Sequence, residues 1–511
     1  MRRDIPYLII LIVMLNTSGC NAPSRMYAPT LVFSEEDLLQ TVEAMPTFTP
    51  SSPELDPELP SSSGDVPAMW PTLIPTASGN EYLYRTLPGD TLIGISGRFG
   101  VNQEEVQSRE GASLEGYLPI DLVLTIPRQL GAMSSAQRLL PDAELVYSMT
   151  ANDFDVARFI QQAGGYLNEH SEIVEEEAEL TGSQIIQRVS SELSVNPRLL
   201  LALLDYRSGW VYGHPVGAEL ERYPLGFRIS NRQGLYEEIK IAATQLNLAY
   251  YGWREGSYIT LHFDEATPVR LDPTLNAGSV ALMHLFAILS GSSSWEDELY
   301  SPYGFPVHYF NLFGDAWARA DQSADLIPHD LEQPSLELPF LPGEGWSLTA
   351  GPHNAWNAGT PFGALDFSPI TAAEPCEDSA TWVTASAHGT VVRARDNAVA
   401  LDLDGDGYEG SGWVIVYFHI AEQDMIPAGV DMAVDQRIGH PSCEGGTASG
   451  THVHVARKFN GEWIPADGPV PFEMSGWHAV AGERIYQGQL VRGDQVVTAD
   501  PAGRAGSTII R

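Results

Sequence analysis

Proline divides this chain before any other feature does. Residues 46–79 read "PTFTPSSPELDPELPSSSGDVPAMWPTLIPTASG" and residues 326–346 read "LIPHDLEQPSLELPFLPGEGW". Proline fixes φ and lacks the amide hydrogen that a helix interior or an inner strand needs, and neither stretch carries an apolar period. Both are predicted to be extended connections, the first a flexible tether, so no single core can run the length of the 511 residues. At about 150 residues per domain a chain of this length divides into about three. The predicted fold class is multidomain: a small β-α-α-β module over 80–130, an α-helical domain over 150–322 and a C-terminal antiparallel β-sheet domain over 338–500.

Charge and the N-terminus narrow the partners. Asp and Glu number 66 against 28 Lys and Arg, for a net charge of -38. That excludes a groove that neutralises nucleic-acid phosphates and predicts a soluble acidic exterior. Residues 1–20 place Arg2 and Arg3 before an apolar run from Ile5 to Leu15 and then "NTSGC", the order of an export signal and too short for a comfortable membrane span. The segment resembles a bacterial lipoprotein signal, with Thr17 where leucine is usual. The resemblance implies cleavage and lipidation at Cys20, a membrane anchor through that lipid, and residues 21–79 as the spacer; an uncleaved anchor is the alternative. Beyond Cys20 only Cys376 and Cys443 are left. In an oxidising exported compartment such a pair reads as one disulfide, with two buried thiols as the alternative.

In 80–130, "EYLYRTLPGDTLIGISGRFGVNQEEVQSREG" closes with "LPIDLVLTIP". Tyr82 to Thr86 alternate as a strand, Thr91 caps a helix with Leu92, Ile95 and Phe99 on its apolar face, a second short helix is expected from Asn102, and "LVLTIP" supplies a returning strand. With "PGDTL", "RFGV" and the final "IP", the segment resembles a LysM domain. That implies binding of the N-acetylglucosamine-containing glycan of peptidoglycan through two loops, here Gly89, Asp90, Thr91 and Leu92, and Leu118, Pro119, Ile120 and Asp121. "REGASLEG" departs from the asparagine common after the second helix.

Over 150–322, Ile185, Ile186, Val189 and Leu193 share one helical face, and Asn196 and Pro197 open the helix "PRLLLALLDYRSGW". "VNPRLLLALLDYRSG" resembles the entry to lysozyme-like lytic transglycosylases, in which a catalytic glutamate precedes the Ser-Gly pair. Arg207 stands there, and a guanidinium cannot protonate a glycosidic oxygen. Asp205, two residues earlier, faces another side of the helix. The expectation is a non-catalytic helical domain, either touching glycan or acting as a spacer bundle.

From 338 onward the pattern is strands punctuated by Gly, Pro and Asp. Residues two apart on a strand share a face, so His452 and His454 in "GTHVHVARKF" are expected to project together, as are Tyr417 and His419 in "VYFHI". Asp366 lies between Leu365 and Phe367, where a carboxylate needs a partner or a metal, and "GPHN" adds His353. These residues can supply the three ligands of a catalytic zinc, Zn(2+), and leave two imidazoles over.

The domain at this point resembles lysostaphin-type zinc metallopeptidases, which cut peptide bonds of bacterial peptidoglycan. The resemblance rests on Asp366, "YFH" and "GTHVH". It implies His353, Asp366 and His454 as metal ligands and His419 and His452 as catalytic residues that move the proton and stabilise the oxyanion. In the usual pattern the histidine lies four residues before the aspartate, at Phe362 here, whereas His353 lies 13 residues before Asp366; the insertion would have to loop out. His388 and His440 are substitutes that fall at turns. "DLDGDGYEG" has aspartates at calcium-loop spacing, Asp402, Asp404 and Asp406, but Trp413 stands at the twelfth position, so a polar hairpin tip is expected. Arg457, Lys458, Trp463 and Trp477 could line a substrate groove, with ordinary core filling as the alternative. The combined expectation is an exported cell-envelope zinc endopeptidase acting on peptidoglycan, with a catalytically inactive wall-binding regulator as the alternative.

Overall fold

The structure is a computed structural model that describes residues 79–511 apart from 176–177, 264–265, 371–375 and 377–378. The export signal, Cys20 and the tether as far as residue 78 lie outside the described residues.

The first module has strands β1 (Glu81–Arg85), β2 (Gln107–Ser108) and β3 (Val123–Pro127) in the order β1-β3-β2, with helix α1 (Leu92–Phe99) packed on them. Gly94 N donates to Thr91 Oγ1 at the helix N-terminus, 3.1 Å, and Gly100 ends the helix at φ 66. Tyr82, Tyr84, Ile95, Phe99, Leu124 and Ile126 form its core. The β-α-α-β expectation is corrected here. The second helix is only a 3-10 turn, Gln103–Glu105, followed by the extra strand β2. None of its three residues is buried. Val106 is the lone apolar anchor in that segment, and without an i+4 partner it gives a helix no face to bury.

The helical region begins earlier than residue 150, with a short helix at Asp142–Leu145, and ends at Ala316–Asp321. Its main helices are α2 (Gly182–Leu193), α3 (Pro197–Ser208), α4 (Leu235–Glu255) and α5 (Ala277–Tyr300). Arg198 N donates to the Asn196 side chain, 3.0 Å, and Leu199 to Leu204 are all buried, as befits a helix apolar on every side.

The C-terminal region is built on an antiparallel sheet: β4 (Gly345–Asn354), β5 (Phe362–Pro369), β6 (Gly389–Arg395), β7 (Ala398–Asp402), β8 (Trp413–Phe418), β9 (Asp431–Met432), β10 (Val453–Phe459), β11 (Glu462–Trp463) and β12 (Thr508–Ile510). The order is β9-β6-β7-β8-β10-β5-β4-β12, with β11 paired to β10. Because β12 closes the edge beside β4, this unit runs past residue 500. A four-stranded sheet between Glu473 and Thr498 adds a further layer.

"WVIVYF" explains how the regions meet. Val399, Leu401, Ile415 and Tyr417 point into a core with the C-terminal layer, while Ala400, Val414, Val416 and Ala456 share a core with α2 to α5. A strand apolar at successive positions is one buried on both faces. The helical region is therefore not a spacer, which corrects that expectation; it covers one face of the sheet. Polar contacts close the seam. Lys458 Nζ donates to Ser191 O, 2.9 Å, Tyr250 OH to Glu462, 2.5 Å, Trp463 N to Tyr251 OH, 3.0 Å, and Asn460 to Asp325 O, 3.0 Å. Arg254 on α4 joins the Glu462 carboxylate, 2.6 Å, and also donates to Pro88 O of the first module.

Candidate metal centre

Strand register builds the site. His454 on β10 lies directly opposite Asp366 on β5 and Phe418 on β8, and cross-strand partners share a face. His353 reaches that face through an irregularity in β4. Ala350 pairs with Asp366 and His353 with Ala364, so three steps on one strand match two on the other. This extra residue is a β-bulge, which re-aims the side chain. The long spacing from His353 to Asp366 becomes a hairpin loop, residues 355–361.

The result is a tight triangle. His353 Nε2 lies 3.2 Å from Asp366 Oδ1, His454 Nδ1 lies 3.3 Å from it, and the two nitrogens are 3.0 Å apart. His452 Nε2 approaches the other oxygen, Oδ2, at 3.7 Å, and the His419 ring lies 4.5 Å from the His452 ring. His419 has a left-handed backbone, φ 61, just past the end of β8. The expectation that it projects with Tyr417 is therefore corrected: Tyr417 points into the core, its hydroxyl accepting from Ser386 N, 2.8 Å, and the backbone turn sends His419 to the site.

Each imidazole is oriented by a backbone carbonyl. His353 Nδ1 meets Gly351 O at 2.9 Å, His454 Nε2 meets Ala355 O at 2.9 Å, His452 Nδ1 meets Gly450 O at 2.7 Å and His419 Nδ1 meets Glu444 O at 2.8 Å. A carbonyl accepts only from an N–H, so in each ring the other nitrogen carries the lone pair. In His353, His454 and His452 that nitrogen is the one turned towards Asp366. Burial opposes the charge on Asp366, yet the His353 imidazole beside it holds its carboxyl well below the usual range. Burial lowers His353 as well, but Asp366 outweighs it and the net shift is upward. Burial, with His452 next to it, pushes His419 down to about 4, and burial also lowers His454.

These residues fit a zinc ion. Two imidazole lone pairs and a carboxylate oxygen converge from three sides, and Asp366 Oδ1 is buried with no hydrogen-bond partner among the described residues. Ligand atoms about 2.0–2.1 Å from a tetrahedral zinc stand about 3.3 Å from one another, close to the separations found here. His388 is exposed at its turn, and His440 lies tilted against Trp382 with ring centres 3.9 Å apart while donating to Thr381 O; neither joins the triangle.

Sequence reasoning missed Tyr486. Its ring lies 4.9 Å from that of His353, half-exposed at the rim. Its backbone is pinned to the ligand strand by Gly351 N donating to Tyr486 O, 2.8 Å, at a left-handed φ of 70 that a tyrosine seldom adopts. In "GERIYQG" nothing marks it, because the contact is made between sheets.

Other candidates separate from the site. Asp402, Asp404 and Asp406 bring carboxylate oxygens together, but Asp402 is occupied with the amides of its own turn. Burial and the neighbouring Asp402 push Asp404 up to about 6. Arg457, Lys458, Trp463 and Trp477 are all buried, which selects core filling over a substrate groove. Arg457 caps carbonyls of residues 465–471, Lys458 and Trp463 lie at the helical seam, and Trp477 is in the C-terminal core. In the first module Gly89, Asp90 and Leu118 are buried and Thr91, Leu92 and Pro119 partly so, leaving Ile120 and Asp121 exposed. Asp90 accepts from Tyr84 OH, 2.6 Å, and pairs with Arg98, 2.5 Å, while Gly89 packs on Arg254. Arg207 pairs with Glu298, 3.2 Å, and donates to Leu225 O, so no acid stands where the transglycosylase glutamate would.

Residues 138–327 match the family described as LasA, N-terminal domain. The chain is similar to Protease LasA of Pseudomonas aeruginosa, 27% identical over 360 residues that cover 66% of this chain and 78% of that protein. It is also similar to the beta-lytic metalloendopeptidase of Achromobacter lyticus, 25% identical over 158 residues, 30% of this chain and 39% of that one. Among solved structures, the M23 metalloprotease pseudoalterin aligns with 35% of this chain and 99% of its own, at 21% identity and a TM-score of 0.29.

Proposed function

We infer that this chain is a zinc metalloendopeptidase that hydrolyses peptide bonds of bacterial peptidoglycan. The observation that carries the reading is the His353, Asp366 and His454 triangle with the His419 and His452 imidazoles beside it, each ring oriented by a carbonyl. Similarity to Protease LasA and to a beta-lytic metalloendopeptidase supports the reaction class. His353, Asp366 and His454 would hold the metal. Zinc bound there supplies a Lewis acid and lowers the pKa of a bound water towards about 7.

The remaining steps belong to side chains. His452 and His419, each with Nδ1 held by a backbone carbonyl, offer Nε2 to the proton of the attacking water as its oxygen bonds the scissile carbonyl carbon. The proton passes to the amide nitrogen as the C–N bond breaks, so an amine and a carboxylic acid leave, and the acid's proton then moves to the amine to give carboxylate and ammonium. Tyr486, at the rim beside His353, donates its hydroxyl hydrogen to the carbonyl oxygen as negative charge develops there.

The protein is exported, with Cys20 the lipid-anchored N-terminus; the signal-like first 20 residues and the Cys376–Cys443 disulfide support an oxidising location outside the cytoplasm. The LysM-like module would meet glycan through the open side of its second loop, Ile120 and Asp121.

The test uses the full chain and purified peptidoglycan. Wild type is expected to release new amino groups without new reducing ends. His452→Ala is expected to bind zinc within a few-fold of wild type, since it spares the three ligands, and to lose a factor of about 100 to 10,000 in turnover. Zinc binding by wild type with no amine release would leave a wall-binding regulator as the reading.

A further inference from the structure

The loop that separates His353 from Asp366 is a docked turn. Ala355 N donates to Pro361 O, 2.9 Å, and Thr360 N to Asn357 O, 3.1 Å. Gly359 stands at φ +96, which glycine adopts without strain. The tip of this turn rests on α4. Asn357 Nδ2 donates to Thr244 Oγ1, 2.9 Å, and that hydroxyl spends its own hydrogen on Lys240 O, 2.7 Å. A Cβ on Gly359 would stand 2.7 Å from Thr244 O and 3.0 Å from Leu248 N, so backbone lies directly on backbone.

The same turn reaches the metal centre twice. Through Asn354 it is two residues along the chain from His353, and through the Ala355 carbonyl it accepts the Nε2–H of His454, 2.9 Å. Trp356 fills the space between, its ring 4.6 Å from Phe418 and 6.3 Å from Trp463. Movement of the turn off α4 would therefore carry one ligand with it and release the orientation of another.

We propose that α4 positions the metal ligands: seating of the 355–361 turn on Thr244 and Leu248 holds His353 and His454 in their ligating orientation, which makes the helical domain a working part of the peptidase. The proposal rests on the reading of these two histidines as ligands. Thr244 touches neither metal nor substrate and acts only through the turn; the direct partner of a ligating histidine, here the Ala355 carbonyl, is worth about 10-fold to 100-fold in metal affinity, and Thr244 stands one step further out.

Zinc affinity of full-length variants, measured by competition with a chromogenic chelator well below their melting temperatures, tests it. Gly359→Ala, which pushes the turn away from the helix, is expected to weaken zinc by about 10-fold or more. Thr244→Val removes the acceptor and is expected to weaken zinc by about 5-fold, the worth of one hydrogen bond, and Thr244→Ser is expected to restore it. Ser194→Ala loosens the same interface elsewhere, at the Ser194 Oγ to Gly461 O hydrogen bond, and should leave zinc affinity unchanged. Wild-type affinity in both Gly359→Ala and Thr244→Val would overturn the proposal, as would equal weakening by Ser194→Ala. His353→Ala with wild-type zinc affinity would instead remove the ligand reading, and this proposal with it.

Discussion

Glu409 illustrates how far a single residue can lie from its sequence appearance. In "DGDGYEG" it reads as part of a solvated hairpin tip, yet it is buried between Arg393, 2.8 and 2.9 Å, and Lys458, 2.8 Å. Burial opposes its charge, but Arg393 and then Lys458 hold its carboxyl well below the ordinary range. A depressed carboxyl contributes stability above its unfolded pKa of about 4.3 and loses it as pH falls from there towards the folded value. The denaturant midpoint of wild type should therefore fall more steeply with acid below about pH 5 than that of Glu409→Gln. At neutral pH the variant should be less stable by about 3–5 kcal/mol, because two buried cations lose their counter-charge. Parallel pH profiles in the two proteins would exclude this role. Tyr486 belongs to the same class of hidden residue: its neighbour is over 100 positions away, and no local pattern encodes the meeting.

At the scale of elements, the segment before β10 is held at both ends of its function. Cys443 is bonded to Cys376, 67 residues away, and the next residue, Glu444, provides the carbonyl that orients His419. Ser442 N also donates to His419 O, 2.8 Å. Cys443→Ser is thus expected to destabilise the fold by about 2–4 kcal/mol and to lower kcat while leaving zinc affinity close to wild type, since none of the three ligands hangs on this segment. Equal loss of zinc affinity and kcat, measured in parallel, would show that the link braces the whole site. The period-2 pattern located β8 and β10 and predicted that His452 and His454 share a face, because alternation is a local property of a strand. It could not reveal the bulge that turns His353 inward or the left-handed backbone at His419, since both break that alternation.

For the whole molecule, the face of the sheet that carries Asp366 and His454 continues under the helical region, where Val414, Val416, Ala456 and Trp463 share its core. With an apolar interface this continuous and a buried lysine donating across it, the two regions should unfold together. Scanning calorimetry of the full chain is expected to show one transition for the helical and sheet regions, and residues 338–511 made alone are expected to bind a hydrophobic dye through the uncovered face. Two separated transitions, or a dye-silent fragment, would show that the regions are independent.

Local chemistry in the sequence was enough to mark the proline-rich connection over 326–346, the Asn196-Pro197 helix start, the sheet character of the last region, and Asp366, His419, His452 and His454 as groups worth bringing together, because turns, caps and alternation act over a few residues. Which groups meet was decided only by the tertiary structure. The choice of His353 over His388 and His440 depends on a bulge and on a turn seated on a distant helix. The burial of Lys458, Trp463 and Gly89 depends on surfaces contributed by other regions. Burial is a property of what packs against a residue, and that partner lies up to hundreds of positions away, beyond the reach of any local pattern.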